Sequence, residues 1–139
     1  MEQSGGFSGF ASVARYLVGA GGQVAGDLIA CRYEDAGVSA VIAVRAVAAP
    51  SGGEWLALSI PIAPSSRVAA RAALVATGEL PIGALALWQD VVLLRQTLPI
   101  AGLLPARLAE TMRALAHTAA VLVAAAGPEG AGPFAYVFR

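Results

Sequence analysis

Apolar residues recur at Phe10, Val13, Ala14 and Leu17, with Ser8, Ser12 and Arg15 between them, until Gly19, Gly21 and Gly22 stop the run. That spacing predicts a short amphipathic helix. Three strand-like runs follow at 24–33, 38–49 and 55–63. Glu34-Asp35-Ala36-Gly37 and Pro50-Ser51-Gly52-Gly53 separate them, and both separators are turn chemistry, so the pattern predicts a three-stranded meander. In the third run Leu56, Leu58, Ile60 and Ile62 share one face by period two, and Trp55, Ala57, Ser59 and Pro61 share the other. The first set is assigned to the core. Pro61 has no N–H for a ladder, which predicts an edge strand or its fraying end.

Ser65 or Ser66 is expected to cap a helix whose apolar stripe is Val68, Ala69, Ala72, Val75 and Ala76, ended by Gly78 and Pro81. Runs 82–88 and 91–98 are joined by Gln89-Asp90 and predict a second hairpin. A long helix over 103–126 has Pro105 near its start and Leu108, Met112, Leu115, Ala119 and Leu122 along one stripe. Arg107, Glu110, Arg113 and His117 lie opposite, and that polar face ends at Val121, which predicts that something covers the last turns. After a Gly/Pro linker at 127–133, Phe134, Tyr136 and Phe138 alternate in a short strand-like tail expected to be docked, with the chain's own sheet edge favoured over a dimer mate or another protein. The expected organisation is one domain over 1–126 followed by linker and aromatic tail over 127–139.

The chain has 139 residues, enough for a core without disulfide or metal staples. Its 58% hydrophobic and 13% charged content leaves more apolar surface than an average soluble protein carries. Nine basic residues balance nine acidic ones, and no lysine occurs. With no net basic character, nucleic acid is not an expected partner. The longest apolar stretch, 118–126, is short of the ~20 residues a membrane span needs, so no span is expected. Met1-Glu2-Gln3-Ser4-Gly5-Gly6 has no secretory pattern, and Cys31 is the only cysteine, which together point to a cytoplasmic setting.

Candidate chemistry is sparse. His117 is the sole histidine and reads as a solvated helix residue, and Cys31 reads as a buried small hydrophobe. One His and one Cys cannot complete a metal site of three or four ligands. The glycine clusters match no nucleotide-binding fingerprint. No catalytic residue, metal or cofactor is expected, and the chain reads as a non-enzyme. Trp55 and Trp88 read as packing residues or as the lining of a partner groove, where aromatics anchor binding. The candidate partner-binding residues are Trp55, Trp88, Val121, Phe134, Tyr136 and Phe138.

Glu79-Leu80-Pro81-Ile82-Gly83 leading into a hairpin strand, Val92-Leu93-Leu94-Arg95 in the returning strand, and Leu98-Pro99-Ile100 before the helix segment Leu108-Ala109-Glu110-Thr111-Met112 carry a resemblance. With the order α-β-β-β-α-β-β-α they resemble the type III secretion chaperone-like fold, most closely its YbjN-like branch. The match is best over 65–125. The resemblance implies an α+β fold with a curved, antiparallel five-stranded sheet packed by helices. It also implies a homodimer that holds an extended segment of an unidentified protein client. A small apolar-ligand sensor or carrier, or a structural component of a larger assembly docked through the tail, are the alternatives.

Overall fold

The computed structural model describes residues 5–139, so the reading of Met1 to Ser4 lies outside the described residues. Helix α1 (Phe10–Gly19) buries Val13 and Leu17, as its periodicity requires. The Phe10 N–H, unpartnered within the helix, donates to Glu54 Oε1 at 3.1 Å, which places a carboxylate at the positive end of α1. Then come β1 (Gln23–Ala25), β2 (Leu28–Asp35), β3 (Val38–Ala48) and β4 (Glu54–Pro64). A 3-10 turn over Ser65–Arg67 leads to α2 (Ala70–Thr77), followed by β5 (Ala84–Trp88), β6 (Val91–Pro99) and α3 (Pro105–Ala126). The fold is α+β, with three α-helices and a single antiparallel sheet among the described residues, in the order β1-β2-β3-β4-β6-β5.

The sheet has six strands where the pattern predicts five. The run 24–33 folds back on itself at Gly26-Asp27, where Gly26 takes φ +64, and Ala25 pairs with Leu28 across a two-residue turn. Nor is β4 an edge strand, because it lies between β3 and β6. Pro61 is accommodated differently: the β3 ladder ends at Ala43–Ser59, and the β6 ladder shifts register between Pro61 and Ala63. Beyond Ser59 the strands part, and a cleft of about 580 Å³ opens between them over Ala116, Ala119 and Val123 of α3.

The α2 stripe also differs from expectation. Ser65–Arg67 forms a 3-10 turn, Val68 is extended, and the helix begins only after Ala69. This rotates Ala73 and Ala76 inward and leaves Val75 exposed. By contrast, α3 follows its stripe, with Leu108, Leu115, Ala119 and Leu122 buried and Met112 partly so. By length and composition alone α3 would also suffice to cross a membrane. Its buried stripe here packs on β3 and β4.

The tail is a 3-10 turn over Ala135–Val137, where a strand is predicted, with one bridge between Val68 and Phe138. It docks on the chain itself, against α2 and α3 and not on a sheet edge. The Ala69 N–H donates to Val137 O at 2.9 Å and the Arg139 N–H to Arg67 O at 2.9 Å. Val137, of the opposite parity to the aromatics, is the fully buried residue. A 3-10 turn does not alternate faces as a strand does, so the side chain between two aromatics becomes the plug.

Candidate functional site

Period-two alternation divides the sheet into two faces. Ile29 and Cys31 of β2, Ile42 and Val44 of β3, Leu56, Leu58 and Ile60 of β4, and Val92 and Leu94 of β6 point into the core with the helices. The register sets the remaining residues on the second face. Val41, Ala43, Arg45 and Val47 stand beside Ala57, Ser59 and Pro61, and these beside Leu93, Arg95 and Thr97, with Ala84, Ala86 and Trp88 at the β5 end. Among the described residues no helix packs on this face, which is lined mainly by small and apolar side chains.

Trp55 and Trp88 both belong to the open face, so the sequence grouped them correctly, but the fold sets them at opposite ends. Trp55 pairs with Val47 and Pro99, and Trp88 pairs with Val91. Eight residues of β6 separate those rows, roughly 26 Å of strand. Between them runs a trough of about 580 Å³ floored by Ala43, Ala57, Ser59 and Ala86. Ala57, on the floor of the trough, is 3% exposed because larger neighbours wall it in.

Two charges line the trough, and both are arginine. Arg45 stands directly opposite Ala57, and Arg95 directly opposite Ser59. Each is half-buried, and among the described residues neither has an ion pair or a side-chain hydrogen bond. Neither was singled out from the sequence. Their signal was present in the pattern, as a charged residue at the outward phase of an otherwise apolar strand.

The other candidates do not gather on this face. Val121 remains 41% exposed and Val123 47%, so docking of the chain's own tail does not cover the last turns of α3. Phe134 and Phe138 lie partly buried against the core, while Tyr136 is exposed and its hydroxyl donates to Glu79 Oε1 at 2.8 Å. These three aromatics serve the chain's own tail contact.

A polar cluster sits at the helix-covered side, where the sequence offered only a solvated His117. Tyr33 and Asp35 share one face of β2, and Arg113 and His117 stand four residues apart on α3. The Tyr33 hydroxyl donates to Asp35 Oδ2 at 3.2 Å and lies 3.4 Å from His117 Nε2. Arg113 Nε and His117 Nε2 approach the same Oδ2 at 3.5 and 3.7 Å. Burial, the bond to Asp35 and the charge of Asp35 push the Tyr33 phenol up, and Arg113 opposes them. The cluster ties α3 to β2 and supplies no nucleophile. Burial likewise raises the Cys31 thiol, which keeps it from forming a reactive thiolate. Among the described residues no group of three or more His, Cys, Asp or Glu converges as a metal site.

No family model, curated protein or solved structure matches the chain.

Proposed function

We propose that the chain is a non-enzymatic protein-binding module, a chaperone-like or adaptor homodimer that receives a segment of another protein on the open face of its sheet. The single observation behind this is the uncovered apolar face carrying Trp55, Trp88, Val41 and Leu93. Soluble domains rarely leave so continuous an apolar surface without a partner. An open trough also suits a protein segment better than a small molecule, which is usually enclosed over most of its surface. The order of elements and the Leu-Pro steps behind the YbjN-like resemblance favour the same reading.

The second copy has its own place. β5 is an edge strand of sequence Ala-Leu-Ala-Leu-Trp with neither charge nor proline; its own Leu87 is 67% exposed, and Leu74 of the neighbouring α2 is 76% exposed. An uncharged apolar edge of this kind is a template for strand pairing. Antiparallel pairing of β5 with itself about Ala86 would set Leu87 against Leu85, and Trp88 against Ala84, of the mate.

The test is affinity purification with mass spectrometry of the wild-type chain and of a Val41→Asp, Trp88→Ser variant with an unchanged melting curve. A stoichiometric protein retained by the first and lost by the second supports the reading. A stoichiometric apolar small molecule in its place would make the chain a carrier.

A further inference from the structure

The open face has a charge signature that says what kind of partner it receives. Resting on the reading above, we propose that Arg45 and Arg95 form a paired carboxylate clamp, and that the segment laid across the trough is extended, apolar and acidic.

The argument begins with what the two guanidiniums lack. Arg45 and Arg95 are half-buried among Ala43, Ala57, Leu93 and Trp88, and among the described residues neither has an acidic partner. A guanidinium on an apolar floor gains from any carboxylate it meets, because a bidentate pair with two parallel N–H···O bonds is the strong form of this interaction. Among the described residues the outward strand positions of the face carry a single carboxylate, Glu34, which is remote from the trough and lies 3.9 Å from Arg32. The clamp is therefore satisfied from outside.

The same charges exclude the simplest occupant, a second copy stacked face to face. Two-fold stacking would bring two copies each of Arg45 and Arg95 into one apolar layer that, among the described residues, has no free carboxylate of its own, and like charges in such a layer are strongly disfavoured. Self-association is directed to the β5 edge, and the face is left to a different, anionic chain.

Geometry sets the spacing. Arg45 on β3 and Arg95 on β6 flank β4, two residues out of step, since their β4 partners are Ala57 and Ser59. Two strand spacings and a two-residue offset put their Cα atoms roughly 12 Å apart. In an extended segment, side chains on one side recur about every 6.7 Å. Carboxylates at i and i+4 span the pair, and a small apolar residue at i+2 rests on the floor of Ala57 and Ser59. The long arginine side chains also allow an i, i+2 spacing.

Selection of a random dodecapeptide display library on the full-length protein tests this. The expected binders carry two Asp or Glu residues two to four positions apart among apolar residues, and they change the tryptophan fluorescence. Arg45→Ala or Arg95→Ala should weaken a selected peptide roughly 10- to 100-fold, while the Arg45→Lys, Arg95→Lys variant retains part of the affinity and shows that the fold is intact. In the Arg45→Glu, Arg95→Glu variant the same peptide should fail, and its Glu→Lys, Asp→Lys counterpart should bind. Binders that need Val41 and Trp88 but show no acidic enrichment, or that ignore both arginines, overturn the clamp and leave the interaction face standing. A library that yields no binder dependent on Val41, Trp88 or either arginine overturns both.

Discussion

The Tyr136 hydroxyl donates a 2.8 Å hydrogen bond to Glu79 Oε1, joining the tail to the loop after α2. That bond, then burial, then the charge of Glu79 raise the phenol above the ordinary tyrosine value of 10.0. A folded value above the unfolded one means that the contribution is fully present below pH 10.0 and disappears as pH rises through the raised folded value. Beside the likewise raised Tyr33, a spectrophotometric tyrosinate titration should show a late-ionising component from Tyr136. Tyr136→Phe should remove that component and Glu79→Gln should lower it. An unchanged titration in Glu79→Gln would mean that the bond does not form.

Val137 is the residue that fastens the tail, because it is fully buried between α2 and α3 while the flanking aromatics keep part of their surface in water. Val137→Ala should cost roughly 2 kcal/mol from lost burial and the cavity left behind. Val137→Asp should cost more, since a carboxylate there has no partner. Denaturant unfolding measures both. Tyr136→Phe should cost less than either.

Ala36 takes φ +49 and Gly37 takes φ +82 in the β2–β3 turn, the two-residue form that favours Asn-Gly. A left-handed alanine is strained, so Ala36→Asn or Ala36→Gly should stabilise the fold by about 1 kcal/mol. A higher melting temperature is the expected sign, and a lower one would show that the turn adopts another form.

Cys31 and His117 should separate by cost. The Cys31 thiol is buried and raised, so it should react with thiol reagents only slowly until the protein unfolds. Cys31→Ser should destabilise by roughly 1–3 kcal/mol, because a hydroxyl is less tolerant than a thiol of an apolar site. His117→Ala should cost little, with Arg113 still beside Asp35. Neither variant should affect partner binding on the open face.

Long periodic segments were legible in the sequence, and short deviations were not. The stripe of α3 and the inward set Leu56, Leu58, Ile60 and Ile62 appear in the structure as the spacing implies, because each buries a whole row of side chains and no local exception outweighs that. The misreadings each turned on one or two residues. Gly26-Asp27 lies inside an apolar run and splits it into two strands. Pro61 sits in an interior strand because the β3 ladder has ended by then. The tail shows an alternating aromatic pattern, yet the Val137 N–H donates to Phe134 O and the Phe138 N–H to Ala135 O, which closes it as a turn. Trp55 and Trp88 were singled out through their residue type, and the register places them at opposite ends of the open face. Arg45 and Arg95 went unnoticed because a charge means something different on an open apolar face than on a helix surface, and only the strand register shows which faces are shared.

Along β4 each outward residue sits between two inward ones, so a single strand answers to two separate constraints. Exchanges at Leu56, Leu58 or Ile60 disturb the packing under the helices, whereas exchanges at Ser59 or Pro61 alter only what the outer surface offers. Descendants of such a chain could therefore drift toward new partners at every second position while the intervening positions stay constrained. A set of related domains would then share an inward rhythm of Leu, Ile and Val and differ in outward lettering, and pairwise sequence identity would fall well before the architecture changed.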